Sequence, residues 1–260
     1  MSRLSPTAVR LFWTILSPVA LLLAWDLVTR FGLAERILLP SPWIIAEALR
    51  DVFVNGYAAV NIFVHIGTSL YRVIVAFGLA AVCGVAVGLL RGLYPWIDAF
   101  CLVPFEIVRP IPPLAFIPLF ILWFGIGELS KILIMFYYAM LVVMMNTQAG
   151  VANCPQDKIR AARSLGASPW QVFSRVVFPA SAPQIVVGLR VALAAALSIL
   201  VASELLGGDK GLGFVISDAS TFFKTSDVFV GIILIGLIGL ISDRGITYLS
   251  RRIVHWEGKQ

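Results

Sequence analysis

Charge is scarce in this sequence. Of its 260 residues 13% are charged and 60% hydrophobic, whereas a soluble domain carries about 25% charged residues. That shortfall excludes an ordinary soluble domain and marks a membrane protein. Histidine occurs only twice and cysteine three times. Cys83, Cys101 and Cys154 are scattered without metal-ligand spacing, which argues against a disulfide framework and a zinc site. Cys83 and Cys101 read as small buried apolar residues. His65 heads an apolar stretch with no second histidine at ligand spacing, so it reads as a structural hydrogen-bond partner, and no metal site is expected. Neither H-E-x-x-H nor G-x-S-x-G nor a P-loop is present, so no catalytic residue is expected and no ATP site is legible. The net charge of +6 comes without a basic block interleaved with aromatics, which argues against nucleic acid.

What is abundant is apolar sequence, in six blocks. The first runs from about Leu11 to Val28. It is longer than a signal-peptide core, and Trp25, Asp26 and Arg30 follow it instead of a small-residue cleavage site, so it reads as a retained transmembrane helix. Leu39-Pro40-Ser41-Pro42 reads as a turn and helix start, with Ser41 as cap. From Trp43 to Phe53 an amphipathic pattern sets Ile44, Ala48, Leu49, Val52 and Phe53 against Glu47, Arg50 and Asp51, which suits a helix lying in the membrane interface. The second span covers about Ser69 to Leu90. Its Ala80, Gly84, Gly88 and Gly92 form a four-residue ladder of small side chains, the pattern that lets helix backbones approach in lipid.

A basic turn at Arg91 leads to a third block, about Ile97 to Trp123. Pro104, Pro110, Pro112, Pro113 and Pro118 cannot all fit one regular helix, so this span is broken. Broken backbone at membrane depth persists only where protein buries it or a wet cavity adjoins it. Spans four to six cover about Ser130 to Ala149, Gln184 to Leu206 and Val228 to Ile241. The fifth carries a second ladder, Gly188, Ala192 and Ala196. Between the last two, Gly207-Gly208-Asp209-Lys210-Gly211-Leu212-Gly213 opens a polar loop, a weak phosphate-binding signal that lacks P-loop spacing. Arg244, Arg251, Arg252, His255, Glu257 and Lys259 make a basic tail.

Six spans place both termini on one side. That side holds Arg3, Arg10, Arg91, Lys158, Arg160, Arg163, Arg175, Arg244, Arg251, Arg252 and Lys259, against Arg30, Arg36, Arg50, Lys131, Lys210 and Lys224 opposite. The excess of Lys and Arg assigns the termini to the cytoplasm.

The longest polar interruption in the second half is the stretch from Asn153 to Pro183. Pro155 suits a first helical position, and Gly166 suits the left-handed residue that ends a helix. Ser168 with Gln171 three residues on forms a capping box, with Pro169 in the first turn. Pro179 and Pro183 are expected to stop the helical run there. The result is two short helices joined at Gly166.

This stretch resembles the loop of the inner-membrane subunits of ABC importers, which reads Glu-Ala-Ala, three residues, Gly, nine residues, Ile, any residue, Leu-Pro. Here Arg160-Ala161-Ala162 precedes Gly166 at the same spacing, and Val176, Val177 and Phe178-Pro179 follow at theirs; Arg160 replaces the leading Glu. Leu39-Pro40-Ser41-Pro42, Arg109-Pro110-Ile111-Pro112-Pro113-Leu114-Ala115, Trp123-Phe124-Gly125-Ile126-Gly127 and Gly211-Leu212-Gly213 look like the nitrate, sulfonate, taurine and bicarbonate branch of those permeases.

The resemblance implies an all-α integral membrane protein with the type I importer permease fold and a cytoplasmic coupling loop at about 153–180. Residues 1–67 would form an N-terminal helix with an external amphipathic segment, 68–243 the permease core and 244–260 the basic tail. It implies that Arg160, Ala161, Ala162, Gly166, Ser168, Phe173 and Pro179 belong to the surface that meets an ATPase. ATP and magnesium would sit on that separate subunit, and this chain would bind no cofactor. The implied partners are the ATPase, an external solute-binding protein, a second permease copy (a homodimer) and lipid, in a bacterial inner membrane. The solute would be a small anion of sulfonate, nitrate, bicarbonate, taurine or carboxylate type.

Intramembrane charge is functional by default, and the candidates are Asp26, Arg72, Glu106, Arg109, Arg190 and Glu204. Glu106 and Arg109 share a helical face at i, i+3. Together with Pro110, Pro112 and Pro113 they mark a candidate translocation path, in which Arg109 either attracts an anion or neutralises Glu106 at the break. Arg72, Asp26 and Arg190 read as near-interface residues, where long side chains snorkel, and Glu204 as an outer-mouth residue. The rival reading is an ion-coupled secondary transporter. It would leave the two-helix loop without a role, and only one span is strongly broken, where inverted repeats would show a matching pair.

Overall fold

The computed structural model of the protein describes residues 6–35, 37–205 and 207–253. Arg3, Arg36, His255, Glu257 and Lys259, used above for charge asymmetry or the tail, lie outside the described residues. The elements are α1 (Pro6–Arg30), α2 (Pro42–Asn55), α3 (Ile62–Leu93), α4 (Pro95–Val108), a 3-10 turn (Pro113–Phe116), α5 (Ile117–Phe124), α6 (Glu128–Ala152), α7 (Gln156–Ser164), α8 (Pro169–Val172), a π segment (Phe173–Val177), α9 (Phe178–Leu205), α10 (Leu212–Thr221) and α11 (Thr225–Ile253). Among the described residues five helical stretches are long and apolar enough to cross a membrane. The sixth is the pair Pro95–Val108 and Pro113–Phe124, bent by 87°, which is the broken span read from its prolines.

The chain divides into two compact units, Met1–His65 with Val215–Ile233, and Ile66–Phe214 with Leu234–Gln260. In the first, Ser41 caps α2 as expected, its hydroxyl accepting from the Ile44 N–H. Trp25 donates from its indole to the Pro40 carbonyl at 3.1 Å, so the end of α1 holds the Leu39-Pro40-Ser41-Pro42 turn. The buried face of α2 is Ile45 and Val52, whereas Ile44 and Phe53, assigned to the apolar face above, are exposed. Tyr57 donates to Asp218 at 2.8 Å, and burial, with that carboxylate beside it, pushes the phenol up from its ordinary value. His65 is fully buried, its Nε2 3.4 Å from the Tyr57 carbonyl, in keeping with a structural role.

The second unit is built around α6. The small-residue ladder of α3 lies on it: a Cβ added at Gly84 would stand 2.8 Å from Val143, one at Gly88 2.6 Å from the Met144 carbonyl, and one at Gly92 2.5 Å from Val151. The α9 ladder lies on α6 too, with a Cβ at Gly188 2.5 Å from Asn146. Ala80, Ala139, Val143, Ala192 and Ala196 form one buried cluster between the three helices. Close approach of this kind replaces the hydrophobic drive that lipid removes.

Several expectations are corrected. Pro179 and Pro183 do not stop a helix; both lie in α9. The π segment just before them carries the longer bond from the Phe178 N–H to the Phe173 carbonyl. That widened turn ends just before Pro179, giving its ring room, whereas Pro183 sits within α9 itself. Cys83 and Cys101 are half-buried, and Cys154 is the buried cysteine; burial pushes its thiol up. Arg91 is not a free basic turn. It is buried, pairs with Asp98 at 2.7 Å and stacks over the Phe105 ring. The last span continues as helix through Arg244 and Arg252 to Ile253.

Candidate functional site

Two short helices form the loop after α6. Pro155 stands one position before α7, as its cap. At the other end the Ala167 N–H bonds to the Ala162 carbonyl at 3.1 Å and the Gly166 N–H to the Arg163 carbonyl at 2.9 Å. These are the paired bonds of a Schellman motif, and Gly166 takes the left-handed φ of +80° that it requires. Ser168 and Gln171 close the capping box on α8 in both directions, at 3.3 and 2.8 Å. One face of the loop is anchored: Val151, Cys154, Val172 and Val177 form a buried cluster against which Leu89, Ile159, Ala162 and Phe173 pack. The other face is open. Arg160, Ala161 and Ser168 are not buried, and Pro179 is half-buried. Leu165 is 87% and Trp170 71% exposed. These two apolar side chains flank Gly166 and were not singled out from sequence, although apolar residues beside a Schellman glycine and a capping box are a readable signal.

The proline break places its residues differently from the simplest expectation. α4 ends at Val108, and Pro110 and Pro112 lie in the bend before the 3-10 turn that Pro113 opens. Glu106 and Arg109 are both exposed, and neither forms an ion pair among the described residues. Arg109 instead borders a cleft of about 280 Å³ with Phe105, Tyr138, Leu141, Val142, Met145 and Asn146. The Asn146 amide donates to Val142 and accepts from Gln184 at 3.1 Å, which fixes one polar wall.

At the opposite end of the same helices lies a charge cluster that the sequence did not assemble. Arg72 on α3 is 1% exposed. It donates to Glu204 at the end of α9 and to Glu128 at the start of α6, both at 2.6 Å, and to the Lys210 carbonyl at 2.9 Å. Glu204 also accepts from Ser69 Oγ at 2.9 Å and from the Gly213 N–H at 2.7 Å. Ser69 in turn accepts from the Leu212 N–H at 2.8 Å. A Cβ at Gly211 would collide with the Glu204 carboxylate, and one at Gly213 would stand 2.7 Å from Glu204 Cβ. Gly211-Leu212-Gly213 therefore wraps an internal carboxylate, the anion that this glycine loop binds in the folded chain. Gly125 takes φ +77° and Gly127 is extended, which turns α5 into α6 and sets Glu128 on Arg72. Outside this cluster Asp26 pairs with Arg30 and Arg190 with Asp243, and among the described residues no group of His, Cys, Asp and Glu could hold a metal.

Residues 80–255 match the family described as the binding-protein-dependent transport system inner membrane component. The chain belongs to this family. It is 38% identical to the taurine transport system permease protein TauC of Escherichia coli, over 92% of this chain and 87% of that one. It is 34% identical to the nitrate import permease protein NrtB of Synechocystis, over 92% and 88%. Its fold is that of a solved chain of the MetNI methionine ABC transporter in an inward-facing conformation. That match has a TM-score of 0.54 at 20% identity, and covers 83% of this chain and 97% of that one. The protein is thus a multi-pass inner-membrane permease subunit of an ATP-driven importer, a translocation component and not an enzyme. Membership implies an ATPase and a binding protein as partners.

Proposed function

We propose that this permease imports a small anionic solute and couples to its ATPase through the two-helix loop. The observation that carries the coupling is the loop's two-sidedness: one face pinned to the ends of α3 and α6, the other presenting Leu165 and Trp170 beside Gly166. Exposed apolar anchors on a rigid mount are what a partner groove takes hold of. In this reading Arg160, Ala161, Ala162, Ser168, Phe173 and Pro179 shape that mount. ATP and magnesium act on the partner, whose closure tilts the loop and switches the pore between outward and inward access. The solute class is supported by relatives named for taurine and nitrate, both of which carry an oxyanion. It is supported also by Arg109 at the proline break, an exposed cation that borders the cleft with Tyr138 and Asn146, in the stretch of chain that carries Glu106, Pro110, Pro112 and Pro113. A second copy of the chain and lipid would cover the apolar side chains of α4, none of which is buried. Residues 1–67 and the tail 244–260 would flank a permease core of 68–243.

Gly166→Val tests the coupling. Nothing lies within 4 Å of a Cβ there, so the change introduces backbone strain of roughly 1–2 kcal/mol and no collision. The variant is expected to insert and accumulate normally, while the ATPase no longer co-purifies and solute-stimulated ATP hydrolysis is lost. A well-expressed variant that retains its ATPase and full uptake would overturn the coupling role. Orientation has its own test: a reporter after Gln260 is expected in the cytoplasm and one inserted near Asp218 outside. Both reporters on one side would refute the six-span topology.

A further inference from the structure

A guanidinium offers five N–H donors in a fixed fork, and Arg72 divides them unequally. One terminal nitrogen serves Glu204 and the Lys210 carbonyl, at 2.6 and 2.9 Å. The Nε and the other terminal nitrogen both go to Glu128, whose two oxygens they grip. The two carboxylates are held very differently. Glu204 is buried, accepts from Ser69 and Gly213 as well, and is walled by Gly211. Glu128 has Arg72 as its one hydrogen-bond donor among the described residues, and its side chain is 52% exposed. If Glu128 withdrew, water could reach the freed N–H groups from its exposed side, and Arg72 would keep a buried counter-ion.

Glu128 also stands on a pivot. It directly follows Gly127 and stands three residues after Gly125, which occupies the positive-φ region. Before that turn comes α5, the second half of the broken span. Behind it is a cavity of about 10 Å³, room for one water, bordered by Ser130 and Lys131 of α6, Ile117 and Phe120 of α5, and Ser203 of α9. The void is local: beside it Ile117 of α5 packs with Ile134 of α6 and with Leu197 and Leu200 of α9 in one buried cluster.

We infer that Glu128 is a positioning residue of the transport cycle: its carboxylate latches the α5–α6 corner to Arg72, and its release lets that corner leave α3 and α9. Arg72 and Glu204 are the fixed post. The inference rests on the alternating-access reading above for when the latch opens, and on the geometry alone for what it holds.

The test uses the complete transporter in nanodiscs, with Cys83, Cys101 and Cys154 replaced by serine and Ser203→Cys as reporter. Ser203 is buried on α9 and its hydroxyl donates within its own helix, to the Leu200 carbonyl. Labelling by a charged maleimide is followed without nucleotide and with ATP trapped by vanadate. Glu128→Gln is expected to label at least ten-fold faster than wild type without nucleotide, with an unchanged melting temperature, and Glu128→Asp to return the rate to within about three-fold. Basal ATP hydrolysis should rise while its stimulation by solute falls. Equal labelling of Glu128→Gln and wild type would overturn the latch. So would a fall in melting temperature with parallel loss of ATP hydrolysis and uptake, the mark of a merely structural pair. Failure of vanadate-trapped ATP to change wild-type labelling would instead refute alternating access and leave the latch to be judged by the Glu128→Gln rate.

Discussion

Arg72→Gln is expected to be among the most damaging single substitutions in the described structure, with a loss of about 3–5 kcal/mol, the usual result of stranding one partner of a buried ion pair. The decisive magnitude is exposure. Glu204 is 0% exposed at the side chain and Glu128 52%, so removing Arg72 takes from one carboxylate its hydrogen-bonded ion-pair partner in the dry interior, with buried Lys131 left as a nearby positive charge, while the other finds water. Glu128→Gln, by contrast, leaves Arg72 its buried counter-ion Glu204 and keeps an amide oxygen that can accept from it, so its loss is expected to be much smaller. The expected order of melting temperatures is wild type close to Glu128→Gln, and both well above Arg72→Gln. The double change Arg72→Met with Glu204→Gln should recover most of the loss. Methionine fills the aliphatic stem, and the new amide oxygen still accepts from Ser69 or Gly213. Measurement is thermal unfolding of the detergent-solubilised subunit. A double variant no more stable than Arg72→Gln would show that the charge pairing is not what Arg72 supplies.

This cluster also marks the limit of what the sequence discloses. Arg72, Glu204 and Gly211-Leu212-Gly213 each stand out in the sequence, but as separate features. Arg72 is 56 residues from Glu128 and 132 from Glu204, and no local rule reports such a distance. The glycine loop suggests an external phosphate because its true anion lies on another element. Features with a local cause were legible: the Ser168 capping box, the left-handed Gly166 and the proline break all follow from bonds or clashes within a few residues. The same locality explains the errors. Proline reads as a stop because it removes a backbone donor and crowds the preceding turn, yet Pro179 comes just after a π segment, and Pro183 and Pro104 sit inside helices. Glu106 and Arg109 keep the i, i+3 spacing on helical backbone, since Arg109 caps α4 with αR geometry and its N–H bonds to the Phe105 carbonyl. Both side chains are exposed and, among the described residues, unpaired all the same, because spacing permits an ion pair without requiring one. Leu165 and Trp170 are legible only in part: their apolar character beside the Gly166 turn and the capping box can be read, but their exposure cannot.

The ladder on α3 was legible for a further reason, that four-residue spacing names one helix face without naming its partner, and it supports the second large effect. Gly88→Leu is expected to separate α3 from α6 and abolish a stable fold. Even a Cβ at Gly88 would stand 2.6 Å from the Met144 carbonyl oxygen and 2.6 Å from Thr147 Cβ. Neither atom is the end of a flexible chain; one is helix backbone and the other is fixed to it. Gly88→Ala should therefore already cost about 1–3 kcal/mol through overpacking. Thr147→Ala should not rescue it, because alanine retains the offending Cβ, whereas Thr147→Gly should rescue in part. Gly78 on the same helix supplies the control, since nothing lies within 4 Å of a Cβ there; Gly78→Ala should stay within about 0.5 kcal/mol of wild type. The contrast separates packing from composition: a membrane helix that merely tolerates glycine would accept alanine equally at both positions. Equal melting temperatures for Gly78→Ala and Gly88→Ala would refute the packed face. In lipid, where no hydrophobic drive restores a separated helix pair, a wedge at Gly88 also loosens the Ala80, Ala139 and Val143 cluster one turn and more away. Uptake should then fall together with stability, unlike the coupling variant in the two-helix loop, which should lose uptake while the fold stays intact.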